Sequence, residues 1–144
     1  MSSIADKKLL ASQQLYFKAD KYRGFDARFL FFTVRDSGVI DLIGLGDERS
    51  ELRFSLPNDE LELNRELPLS YSGEGGVRCY YIDENGFWEP ANGSITFYNL
   101  SVVEGVAVFS FKFSGHQPNG SIEDFQAVGG GHFKGITRPN VSPS

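Results

Sequence analysis

Apolar and polar residues alternate with a period of two along much of this chain, a pattern typical of half-buried β-strands. The clearest stretch is 93–113, GSITFYNLSVVEGVAVFSFKF. In its second half Phe109, Phe111 and Phe113 fall on one face, with small or polar residues between them. We predict a β-hairpin whose two long strands are joined by residues 101–105, and we expect the rest of the fold to be built around it.

The segment 28–35, RFLFFTVR, departs from this alternation because both of its faces are apolar. Phe29 and Phe31 point to one side, and Leu30 and Phe32 point to the other. A strand with two apolar faces needs cover on both of them. Two explanations stay open: a central strand with a helix or loop over its outer side, or a contact surface for a partner protein or a second copy of the chain.

Further segments combine strand-like composition with flanking turn signals. We predict additional strands at 14–22, 39–45, 52–56, 69–71, 77–83, 122–128 and 132–136, with 69–71 as a brief edge strand. Turns are predicted at 36–38, 73–76, 85–86, 92–93 and 129–131, where Gly and Asn recur. The count of nine to ten short strands predicts an all-β fold, either an antiparallel β-sandwich or a flattened β-barrel.

The length of 144 residues predicts a single β domain over 1–144. Residues 1–12 are expected to form a short N-terminal helix or arm, since serines precede a brief apolar pattern. Residues 137–144 are expected to be a disordered polar tail.

The net charge of −5 argues against nucleic acid as a partner, because phosphate backbones require clustered Lys and Arg. We find no stretch long enough for a membrane span. Cys79 is the single cysteine, so an intramolecular disulfide is excluded and a reducing compartment is favoured. Residues 1–14 show no signal-peptide pattern, and the expected location is cytoplasmic unless a leader has been removed.

Candidate chemistry is sparse. Cys79 with His116 or His132 is the sole Cys/His combination, and a cysteine inside a strand is typical of an inert, packed thiol. The two histidines are sixteen positions apart and flank different predicted loops, which does not favour a metal site. We therefore predict no catalytic residue, no metal and no cofactor; a hydrolase using one of the histidines is a third hypothesis.

One aromatic cluster has the composition of a binding site. Tyr80, Tyr81, Phe87 and Trp88 flank a predicted tight turn. Tyrosine and tryptophan join a flat apolar face to a polar tip, which suits stacking on a sugar or an anchoring role in a protein interface. The alternative explanation is that Trp88 fills one end of the core.

Five motifs follow one another across residues 52–136: LRFSLPND, VRCYYID, NGSITFYNL, EGVAVFSFKF and a closing G-x-F-x-G-I. This segment resembles small bacterial all-β domains of unknown function, often seen as envelope lipoproteins. The resemblance implies an all-β fold and brings no catalytic residues. We do not carry the envelope location over, because the sequence shows no lipoprotein leader or lipidation cysteine near its start.

These observations favour a non-enzymatic binding or protein-interaction module, with a protein partner or self-association. The alternative is a small-ligand or carbohydrate-binding β-barrel of lectin-like character, which would use the barrel mouth or the aromatic cluster.

Overall fold

A computed structural model describes residues 13–120 and 122–137. Ten strands form one sheet in this part of the chain, where the single helical element is the 3₁₀ turn Asp47–Arg49. The predicted helix or arm at 1–12 lies outside the described residues, as does the predicted tail except for Thr137.

Most strands overlap the predicted segments, but the two strands predicted at 122–128 and 132–136 are one strand, and two strands begin where none is predicted. They are β1 (Gln14–Ala19), β2 (Phe25–Asp26), β3 (Phe29–Val34), β4 (Ile40–Leu45), β5 (Glu51–Leu56), β6 (Glu66–Ser70), β7 (Val77–Asp83), β8 (Gly86–Ser101), β9 (Val106–His116) and β10 (Phe125–Lys134).

The ten strands lie in the order β2-β1-β10-β9-β8-β6-β7-β5-β4-β3, and β7 also pairs with β8. The pairing of β6 with β7 is parallel, and the other pairings are antiparallel. The predicted all-β class is confirmed. The described strands form one continuous curled sheet, so the barrel-like alternative fits and a sandwich of two separate sheets does not.

The chain passes from one edge of the sheet to the other between β2 and β3, as two successive backbone hydrogen bonds show. The N–H of Ala27 donates to the carbonyl of Leu15 in β1 at 2.9 Å, and the next N–H, of Arg28, donates to Leu45 in β4 at 2.7 Å. The segment from β2 to β3 therefore leaves β1 and joins β4. This crossing curls the sheet around a single apolar core.

The predicted hairpin is confirmed as β8 and β9. Its turn closes between Ser101 and Val106, and Gly105 adopts a φ of 68°, which glycine tolerates better than other residues. Phe109, Phe111 and Phe113 each expose 3% of their surface and form the middle of the core.

Two predicted turns are wrong, because their glycines lie within strands, where the lack of a side chain lets neighbouring groups approach the backbone closely. Residues 129–131 lie inside β10, where a Cβ on Gly129 would collide with the backbone of β1 and one on Gly131 with the ring of Phe109. Residues 92–93 form a bulge within β8, where Asn92 has a φ of 52°. The predicted edge strand at 69–71 is also wrong, since β6 lies between β7 and β8.

Candidate functional site

The four aromatic residues singled out in the sequence lie on two faces of the sheet. Tyr81 and Trp88 point into the core and expose 3% and 0% of their surface. Tyr80 and Phe87 point outward and are half-buried, with ring centroids 5.9 Å apart. The strand alternation of β7 and β8 divides the four residues into two pairs: Tyr81 and Trp88 are cross-strand partners in the core, and only Tyr80 and Phe87 lie together on the outer surface.

Trp88 fills one end of the curled sheet. Its indole Nε1 donates to the buried carboxylate of Asp83 at 3.0 Å. The rings of Tyr22 and Phe125 pack against it with centroids 5.3 and 4.9 Å away. Aromatic side chains therefore occupy this end of the sheet, in agreement with the explanation that Trp88 belongs to the core.

The outward side chains of neighbouring strands form an apolar surface that is interrupted by the charged residues of β5. The pairing of β3 with β4 places Phe29 beside Leu45 and Phe31 beside Ile43. Beyond β5, the same rows continue on β7 and reach the start of β8. We call this surface the outer band; it consists of Phe29, Phe31, Ile43, Leu45, Tyr80, Ile82 and Phe87.

The outer band is accessible to solvent. Phe29 exposes 62% of its surface, while Phe31 and the band residues of β4 and β7 are half-buried. Tyr71, which is 41% exposed, extends the surface by packing its ring edge-on against Phe87 at 5.1 Å. Since β3 stands at the end of the strand order, the explanation of 28–35 as a covered central strand is wrong for the described residues.

The two β5 residues that interrupt the outer band, Glu51 and Arg53, both make contacts within the chain. Glu51 accepts a hydrogen bond of 2.5 Å from the hydroxyl of Tyr80. Burial, followed by this contact with Glu51, raises the pKa of Tyr80. Arg53 forms an ion pair with Asp41 at 3.3 Å. The band is therefore apolar at its ends and balanced in charge at its middle.

A cavity of about 430 Å³ lies next to the outer band, where β3 and β5 end and β7 begins. Its polar lining includes Arg35, Ser55 and Arg78. A smaller cavity of about 110 Å³ adjoins it through these same three residues and adds Arg53. We call the two together the arginine pocket.

Asp41 holds side chains of the arginine pocket in place through hydrogen bonds. Its carboxylate is 4% exposed and accepts hydrogen bonds from Arg35 at 2.8 and 2.9 Å and from Ser55 at 2.6 Å. Burial alone would raise the pKa of Asp41, but these bonds and the charge of Arg53 outweigh it, so the pKa lies below its ordinary value. Asp41 is therefore a charged, fixed acceptor.

Arg78 lies across the mouth of the pocket. Its Nε donates to the carbonyl of Tyr71 at 3.3 Å, and it forms no ion pair with any described residue. Its aliphatic stem packs on Gly73, where a Cβ would collide with it. Gly73 also has a φ of 79°, so glycine at this position both permits the turn and leaves room for Arg78.

Sequence reasoning missed the arginine pocket. The three arginines are widely spaced along the chain, and nothing in the sequence distinguishes any of them from an ordinary exposed cation; they are Arg35, Arg53 and Arg78. Their meeting depends on strand register, which pairs Asp41 with Ser55 and Ser55 with Arg78. The signal that the sequence does carry is the alternation of charged and apolar residues in 51–56 and 77–83, which puts the arginines on the outward face.

The histidine and cysteine candidates lie in separate environments. Cys79 points into the core, where burial raises its pKa well above the ordinary value. His116 contacts Asp124 at 3.0 Å at the end of β9, and both side chains are half-exposed. His132 lies in β10, not in a loop, and burial lowers its pKa with a further contribution from Lys134.

The described residues contain no group of three or more His, Cys, Asp or Glu arranged to hold a metal ion. Within the same part of the chain, no helix is long and apolar enough to cross a membrane. Comparison of this chain with protein-family models, with curated proteins and with solved structures found no match.

Proposed function

We propose that this protein is a non-enzymatic interaction module that binds a second copy of itself through the outer band. The observation that carries the proposal is the row of outward apolar side chains that ends in Phe29, 62% exposed. Exposed apolar patches bordered by polar residues mark protein interaction sites. The non-enzymatic part is supported by the burial of Cys79 and by the use of Asp41 and Asp83 as structural acceptors.

The charge of the chain favours a second copy at this surface. Two copies that each carry a net charge of −5 repel one another, so an interface between them is most favourable at a surface that adds no further like-charge contacts. The outer band is such a surface, because Glu51 and Arg53 are both paired within the chain. A twofold contact brings the same patch together twice, and a neutral apolar patch avoids like-charge contacts.

Packing through the face is favoured over strand addition at the edge of β3. Thr137 already occupies the middle of that edge: its N–H donates to the carbonyl of Phe32 at 2.7 Å, and its hydroxyl accepts from the N–H of Phe32 at 3.2 Å. An incoming strand would have to displace these bonds. The outward rings of Phe29 and Phe31 need no such displacement.

The dimensions of the outer band predict a weak dimer. Five strands spaced about 4.8 Å apart give a width of roughly 20 Å. Specific interfaces typically bury about 800 Å² on each partner, and a surface of this width is at or below that size. We therefore expect an association that depends on concentration, not an obligate dimer.

Sedimentation equilibrium over a range of concentrations tests the proposal. Phe29→Ser should weaken dimerisation at least about fivefold, as expected for loss of roughly 1 kcal/mol of apolar contact. Val128→Ser is the matched control, since Val128 is also 62% exposed but lies on β10. A wild-type protein that stays monomeric, or a control that dimerises as weakly as Phe29→Ser, would overturn the proposal.

The carbohydrate-binding alternative is less well supported. Two of its four residues, Tyr81 and Trp88, are in the core, and Tyr22 closes the end of the sheet above Trp88. Binding of a small ligand is favoured by a different observation, the arginine pocket.

A further inference from the structure

We propose that the arginine pocket is a binding site for a small anion that carries a phosphate group or several carboxylates. The site adjoins the outer band, with which it shares Tyr80, and it is proposed independently of dimerisation. Its lining joins Arg35, Arg53 and Arg78 with the hydroxyl of Ser55.

The pocket concentrates positive charge on an acidic chain. The buried carboxylate of Asp41 is shared by two guanidinium groups, those of Arg35 and Arg53, and Arg78 forms no ion pair with any described residue, so the three arginines outnumber the one carboxylate. Asp36 and Glu74 lie in the flanking turns but do not line the cavity. A local excess of positive charge attracts anions even where the net charge of the protein is negative.

The arginines present donors that their internal bonds do not use. Arg35 contacts Asp41 through Nε and Nη2, which leaves Nη1 outside that ion pair. Arg78 uses Nε for the carbonyl of Tyr71, which leaves both of its terminal nitrogens. Guanidinium groups bind phosphate and carboxylate by paired donors, and such charge-assisted bonds are among the strongest in proteins.

Asp41 holds this arrangement ready before a ligand arrives. Because its carboxylate fixes Arg35 and Arg53, these side chains lose little additional freedom when they bind an anion. Val39 and Pro57 form an accessible apolar wall of the larger cavity, which would contact the carbon skeleton of an organic anion. The volume of about 430 Å³ lies in the range of small-molecule sites.

Amide NMR titration at constant ionic strength tests the site, with inorganic phosphate in one arm and citrate in the other. We expect saturable shifts at Ser55, Gly75 and Arg78, with a Kd of roughly 1 mM or below. Saturation by phosphate alone assigns a phosphate ligand, and saturation by citrate alone assigns a polycarboxylate. Saturation by neither probe overturns the proposal.

Arg78→Gln should raise the Kd about tenfold or more, and Arg78→Lys should give an intermediate value because it keeps the charge and loses the paired donors. Arg65→Gln is the control, since Arg65 is an exposed arginine paired with Glu62 away from the pocket. Equal Kd values for Arg78→Gln and Arg65→Gln would overturn the assignment. Phe29→Ser should bind the anion normally, so failure of the dimer and failure of the anion site are distinguishable.

Discussion

Replacing Asp41 by Asn should destabilise the protein and at the same time strengthen anion binding. The substitution preserves the shape of the side chain but removes the charge that holds two arginines. Asp41 accepts four contacts of 2.6 to 3.3 Å, from Ser55, Arg35 and Arg53. Its loss leaves the arginines without a buried counterion, and both are sufficiently exposed to regain water, with 48% and 29% of their side chains accessible.

The cost follows from these contacts. Hydrogen bonds to a charged group contribute about 1.5–3 kcal/mol each, but rehydration of Arg35 and Arg53 offsets much of that. We expect a net loss of about 1.5–3 kcal/mol in the free energy of unfolding, measured by urea denaturation at neutral pH. At about 3 °C per kcal/mol for a chain of this length, the melting temperature should fall by about 5–9 °C.

The pH dependence identifies the charge as the cause. The pKa of Asp41 is lower in the folded protein than its ordinary value of 3.8, so its stabilisation is fully present above that value and is lost as the pH falls through the lower, folded pKa. The gap between wild type and Asp41→Asn should therefore be constant near neutral pH and close in acid. A gap that persists unchanged at low pH, or a variant as stable as wild type, would show that the charge of Asp41 does not stabilise the fold.

The same variant reports on the arginine pocket. Removing the buried carboxylate raises the local positive charge, and we expect this gain to exceed the lost fixing of Arg35 and Arg53, so phosphate or citrate should bind more tightly to Asp41→Asn than to wild type. An equal or weaker affinity would contradict this prediction. It would show that Asp41 favours anion binding by holding the arginines in place, and that this effect is larger than the repulsion between its charge and the anion.

Three further predictions concern the core. Gly131→Val should lower the free energy of unfolding by about 1–3 kcal/mol, because the new side chain would push into the ring of Phe109. Gly130→Ala, where the side chain would point outward, should lower it less. Urea denaturation measures both losses, and equal losses would contradict the close packing at Gly131. Phe111→Asp should abolish folding, and a soluble variant with a wild-type circular dichroism spectrum would contradict its core position. Burial raises the pKa of Tyr81 from 10.0 to about 12. The stabilisation that comes from its neutral phenol is therefore fully present below pH 10.0 and is lost as the pH rises toward the folded pKa. Phenolate absorbance in base should show that Tyr81 ionises late, and early ionisation without unfolding would argue against its burial.

Local pattern predicted much of the fold because alternation is a property of neighbouring residues. The β8–β9 hairpin and the two faces of β7 follow directly from it. The glycines of β10 were misread as a turn, since a run of three glycines has the same composition whether it bends or lets another strand approach. What decides between these outcomes is the ring of Phe109 and the backbone of β1, which are distant in sequence.

The candidate site was less accessible to sequence reasoning. The apolar outer face of 28–35 was visible as a two-sided strand, and the structure extends it across β4 and β7. The cluster around Trp88 was visible as composition, but strand alternation divides it between core and surface. The arginine pocket depends on the register of β3, β4, β5 and β7, which no local pattern specifies.

A methyl NMR dilution series on the wild-type protein is the most direct test of the outer band as an association surface. We expect the methyl signals of Ile43, Leu45 and Ile82 to shift with concentration, while those of the exposed Val103 and Val128 stay constant. Signals that do not change with concentration, or changes centred on Val103 or Val128, would contradict it.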